Sequence, residues 1–133
     1  FLNYKNVIPS NWETRIKVNK NNLQDCFERI SLISASSIEK EKKYPVKVNV
    51  DIGKVTISCT NQTGDAKEEM YVTTEGKNLE AGFNPKYFLD SFKAIDDEEV
   101  FVDFGSSISP CIIRPVEEGG DYIYMVLPIR MKD

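Results

Sequence analysis

Valine or isoleucine recurs at alternate positions on both sides of one glycine, and this pattern limits what the chain can fold into. Val46, Val48 and Val50 alternate with polar residues, Asp51 to Lys54 turns through Gly53, and Val55, Ile57 and Cys59 alternate again. Side chains two apart share one face of a strand, whereas on a helix they point in nearly opposite directions. The segment therefore predicts an antiparallel hairpin with one buried face. A lone hairpin is marginally stable in water, so other elements must cover that face.

Those elements are legible on both sides of it. Thr14 to Val18 reads as a strand, and Asn19 or Asn21 can cap a helix that carries Leu23, Phe27 and Ile30 on one stripe and ends near Ser34. The mixed run within Ser36 to Lys43 reads as a solvated loop. Glu68 to Thr74 and Leu79 to Phe83 read as strands, after which Asn84 and Pro85 form an N-cap and first-turn pair for a helix through about Ile95. Val100 to Phe104, Pro110 to Pro115 and Tyr122 to Pro128 give three more strands, with a polar turn at Glu117 to Asp121. Two helices among about eight strands, without strict alternation, predict an α+β fold with helices packed on a largely antiparallel sheet. Each half holds one helix and several strands, which hints at internal duplication.

Function is bounded mainly by what the chain lacks. At 133 residues it has the size of one domain with one core. It contains no histidine, which removes the commonest general base and zinc ligand, and it has no glycine-rich phosphate loop or nucleophile elbow. No catalytic residue, cofactor or metal is expected. Lys and Arg total 17 against 21 Asp and Glu, a net charge of -4, so contact with nucleic acid must be local and weak. Cys26, Cys59 and Cys111 form no CxxC pair and read as core residues, which fits a reducing cytoplasm. No apolar run is long enough to cross a bilayer, and a start at Phe1 without a signal-like stretch reads as a cut within a longer chain.

Four segments resemble one family. Tyr4-Lys5-Asn6-Val7-Ile8-Pro9 is similar to the interdomain lead-in to the third domain of the bacterial DNA sliding clamp, the β subunit of the replicative polymerase. Phe27-Glu28-Arg29-Ile30-Ser31-Leu32-Ile33-Ser34 and Gly82-Phe83-Asn84-Pro85-Lys86-Tyr87-Phe88-Leu89-Asp90 resemble its two helices, and Tyr124-Met125-Val126-Leu127-Pro128-Ile129-Arg130 its C-terminal strand and tail. The order and spacing match along the whole chain, so residues 1–133 are expected to form that single C-terminal domain.

The resemblance implies a non-catalytic processivity factor: a ring of two chains with three such domains each, helices lining the hole and sheets outside. It implies duplex DNA held weakly and topologically, with polymerase subunits, clamp loader and repair proteins docking through short linear motifs. The peptide-docking groove it points to comprises Val7, Asn84, Tyr87, Pro110, Met125, Leu127, Pro128, Ile129 and Arg130. Asn6 departs from the family pattern, where many members place Arg, and leaves open an ionic contribution from that position.

Helical geometry places two further sets. At about 100° per residue, Phe88, Phe92 and Ile95 share one face of the second helix and Lys86 and Lys93 the opposite one, with Asp90 near them. Two such lysines ordinarily solvate an outer face; the resemblance makes them DNA-facing. Leu32 falls opposite Leu23 and Ile33 at the edge of the stripe, and both align with the family's subunit boundary. The final strand is apolar on both faces, as a central strand or a docking surface would be. Two other classes remain: a free-standing peptide-binding module with a complete pocket, and a hydrolase using a carboxylate pair such as Asp51 and Asp103.

Overall fold

The computed structural model describes residues 12–35, 46–61, 64–106, 109–116 and 123–129, with backbone alone at 33–35, 61 and 64. In chain order the elements are β1 (Thr14–Asn19), α1 (Lys20–Ala35), β2 (Val46–Asp51), β3 (Lys54–Asn61), β4 (Gly64–Tyr71), β5 (Thr73–Gly76), β6 (Leu79–Phe83), α2 (Pro85–Lys93), β7 (Glu99–Phe104), β8 (Cys111–Pro115), β9 (Tyr124–Val126) and β10 (Pro128–Ile129). The α+β class stands, but the strands form two sheets of five. Their orders are β5-β1-β7-β8-β9 and β10-β6-β2-β3-β4, paired antiparallel throughout.

This order repeats itself. The first half, β1-α1-β2-β3-β4-β5, and the second, β6-α2-β7-β8-β9-β10, have the same sequence of elements. Each half contributes its middle three strands to one sheet and its first and fifth to the other. The exchange depends on two breaks. The strand expected over Glu68 to Thr74 divides at Val72, and the one expected over Tyr122 to Pro128 divides at Leu127. At each break the chain leaves one sheet and joins the other, which accounts for ten described strands where about eight were expected.

The hairpin pairs Val50 with Val55 and Val48 with Ile57, and all six alternating apolar residues are buried. Gly53 takes the turn at φ 72. Gly76, at φ 94, packs so closely on the backbone of Glu13 that a Cβ would collide with it.

Asn19 caps α1, accepting from the Asn22 amide at 3.0 Å, and Asn84 caps α2, accepting from Lys86 N at 3.0 Å. The second helix ends at Lys93, with Ala94 as its C-cap, slightly short of the expected end. Leu23, Phe27 and Ile30 face inward as the stripe requires, and Phe27 stacks on Phe88 with ring centroids 4.7 Å apart. Phe83 meets Phe88 edge-on at 5.0 Å. Each fully buried aromatic contributes about 2–3 kcal/mol of transfer free energy, so this cluster joins both helices firmly to the sheets. Arg29 clamps α1 to β4 through Glu68 at 2.7 Å. The loop at Ser36 to Lys43 and the turn at Glu117 to Asp121 lie outside the described residues.

Candidate functional site

The break at Leu127 organises the site. Before it, β9 pairs with β8, matching Cys111 with Val126 and Ile112 with Met125. After it, β10 pairs with β6, matching Pro128 with Phe83 and Ile129 with Gly82. Leu127 belongs to neither ladder and is 62% exposed. Phe83 is followed directly by Asn84, so Pro128 is held beside the start of α2, where Tyr87 is also exposed. Pro110 precedes Cys111 and flanks the crossing from the other side. Asn84, Tyr87, Pro110, Met125, Leu127, Pro128 and Ile129 are thereby gathered around one sheet-to-sheet crossing. Val7 and Arg130 lie outside the described residues.

The chemistry of this crossing is mixed. Tyr87, Met125, Leu127 and Ile129 all present apolar surface to solvent. Asn84 spends its side-chain oxygen on the helix cap, which leaves its amide nitrogen as a donor beside the apolar wall. Ile123, also exposed, extends the same face of the strand. The sequence signal for it was its spacing of two from Met125.

Lys86 and Lys93 are both exposed on α2, away from buried Phe88 and Phe92, and Asp90 is exposed as well. On α1, Leu32 is 72% exposed, whereas for Ile33 only the helical backbone is described. A further exposed apolar pair, Ile52 and Tyr71, lies at the tip of the β2-β3 hairpin, where Tyr71 is the ladder partner of Lys54. It was not anticipated, because each residue alone looks like part of a turn or strand end.

Sequence reasoning also missed a charged cluster on the outer face of the β5-β1-β7-β8-β9 sheet. Asp103, only 2% exposed, accepts from Arg15 Nε at 2.6 Å and from Arg15 Nη2 at 2.9 Å. Arg114 Nε lies 2.9 Å from Asp103 Oδ2, in an ion pair without an aligned hydrogen bond. The hydrogen bonds to Asp103 push the Arg15 guanidinium above its ordinary pKa, against the opposing effect of burial. The Arg15 guanidinium also lies 4.7 Å from the Trp12 ring centroid and 4.2 Å from that of Phe101. The cluster disposes of the carboxylate-pair hydrolase, because Asp103 is held by arginines while Asp51 ends a strand of the other sheet. The three cysteines are buried and none forms a disulfide; burial pushes the Cys26 thiol up to about 11 and the Cys111 thiol well above its ordinary value.

The family profile described as DNA polymerase III beta subunit, C-terminal domain, matches residues 5–130. The chain belongs to that family. Among similar proteins, the beta sliding clamp of Staphylococcus epidermidis is 31% identical over 126 residues, which cover 93% of this chain and 32% of the relative. That of Streptococcus pneumoniae is 30% identical over 124 residues, with the same coverage. This member of the family thus spans about a third of the length of the curated relatives it matches. The solved DNA polymerase III beta subunit of Thermotoga maritima superposes with a TM-score of 0.87 at 32% identity, over 99% of this chain and 35% of that one. The sliding clamp of Bacillus subtilis gives 0.88 at 26%, over 99% and 34%. The two five-stranded sheets and two helices are therefore those of the sliding-clamp fold. No helix among the described residues is long and apolar enough to cross a membrane.

Proposed function

We propose that this domain forms the last third of a cytoplasmic, ring-shaped DNA sliding clamp that performs no catalysis and docks its partners at the Leu127 crossing. The observation that carries the docking reading is the crossing itself, which leaves an apolar residue 62% exposed between two ladders and beside the capped start of α2. Membership of the sliding-clamp family supports the ring, in which two three-domain chains enclose duplex DNA. Lys86 and Lys93 face the DNA backbone. With a net charge of -4 the domain itself holds DNA weakly, and closure of the ring supplies retention. Leu32 and Ile33 belong to the boundary between subunits.

Polymerase subunits, clamp loader and repair proteins insert a short motif with a glutamine and a few leucine or phenylalanine residues. The family resemblance assigns Val7 and Arg130 to the same groove, though both lie outside the described residues. Two or three buried apolar anchors, opposed by the ordering of a flexible peptide, give affinity near the micromolar range. A fluorescent motif peptide titrated against the full-length protein tests this. Leu127→Ala should weaken binding by about tenfold while leaving the fold intact, because it removes a side chain that is mostly exposed until the peptide covers it. Equal affinities would remove Leu127 from the site, and no binding to wild type would remove the site.

A further inference from the structure

The outer face of the β5-β1-β7-β8-β9 sheet carries a second, smaller packed region. Along β8, Cys111 and Ile113 enter the central core, whereas Ile112 points to the other face and is nevertheless 2% exposed. Trp12, Asp103, Pro110, Ile112 and Arg114 line one small cleft there. Two of its neighbours belong to the docking groove: Pro110 lines the cleft itself, and Met125 is the ladder partner of Ile112.

Trp12 is fixed in this position from two directions. The next residue is strapped by its backbone, Glu13 N donating to Phe104 O at 2.9 Å and Glu13 O accepting from Lys77 N at 3.1 Å. The indole itself lies 4.7 Å from the Arg15 guanidinium, which Phe101 flanks at 4.2 Å and Asp103 holds by two hydrogen bonds. A guanidinium held by a bidentate carboxylate loses its rotational freedom, so a ring stacked on it is held as well.

We infer that Trp12 is a positioning residue for the docking groove, holding the strip Pro110, Ile112 and Met125 in the shape that a partner peptide meets. The inference rests on the docking function proposed above. Asp103 orients Arg15, Arg15 orients Trp12, and Trp12 supports the sheet face on which Pro110 and Met125 stand. Removing the indole takes away one wall of the cleft that Pro110 and Ile112 also line and frees that strip to relax, although no atom of Trp12 need touch the peptide.

The test uses the full-length protein and the fluorescent glutamine and leucine peptide, with wild type, Trp12→Ala and Trp12→Phe compared. Trp12→Ala should weaken the peptide about fivefold, the size of an ordinary coupling between neighbouring residues. Trp12→Phe, which keeps a ring over Arg15, should restore affinity to within about twofold of wild type. Should Trp12→Ala fail to fold, Arg15→Lys keeps the charge beside Asp103 but loses the planar fork, and it should weaken the peptide in the same direction. A folded Trp12→Ala or Arg15→Lys that binds as tightly as wild type overturns the inference. If wild type itself does not bind, the docking reading fails first and the inference falls with it.

Discussion

Replacing Asp103 by asparagine should be among the most damaging single changes outside the central core. The substitution keeps shape and removes charge. Asp103 is 2% exposed, accepts both Arg15 bonds and lies 2.9 Å from Arg114 Nε. Taking one partner from a fully buried ion pair costs about 3–5 kcal/mol, because the remaining charge is left without compensation. Here the arginine side chains keep 20% and 28% exposure, so they can turn toward water and recover part of that loss. About 2 kcal/mol is therefore expected, or about 6–10 °C in the melting midpoint for a domain of this size. Guanidinium unfolding of this 133-residue chain measures it. The same electrostatics makes a second demand: an apolar replacement of all three groups, Arg15→Met with Asp103→Leu and Arg114→Met, should regain most of the loss. A single mutant within about 0.5 kcal/mol of wild type would refute the argument. So would a triple mutant less stable than the single one.

Two further outcomes follow from the same structure. The folded Cys26 thiol holds its proton up to about 11 while an unfolded one releases it near 9.0, so stability is full below pH 9 and declines as pH rises toward 11. Cys26→Ala should flatten that decline, measured as unfolding free energy against pH; an unchanged slope would show that burial does not perturb the thiol. Leu32→Glu in the full-length protein should leave each chain folded, since the side chain is 72% exposed here, but should convert the proposed dimer to monomer in sedimentation by placing a charge at the proposed subunit boundary. A folded mutant that stays dimeric would move the boundary elsewhere.

The elements set by near neighbours were legible in the sequence. The hairpin at Gly53, the cap at Asn84 with Pro85, and the inward stripe of Leu23, Phe27 and Ile30 depend on residues a few positions apart, and each lies where the spacing placed it. The two breaks were not legible. At Val72 and Leu127 the backbone stays extended while its hydrogen-bonding partners change, and neither alternation nor propensity records which strand lies alongside. The Asp103 cluster escaped for a related reason. Arg15 and Asp103 are 88 residues apart, and in sequence each resembles an ordinary solvated charge. As for the groove, apolar composition alone left Tyr122 to Ile129 open between a central strand and a docking surface. Family resemblance selected the second, and the docking surface at the crossing stands as the proposal made above.

Native mass spectrometry of the full-length protein tests the central claim most directly. A ring made of domains like this one requires a chain about three times as long as the present domain, as in the relatives it matches, and two such chains to close. The predicted spectrum at micromolar concentration is a dimer of that longer chain. A folded monomer under those conditions would contradict the ring, and with it the reading of this domain as one third of a clamp.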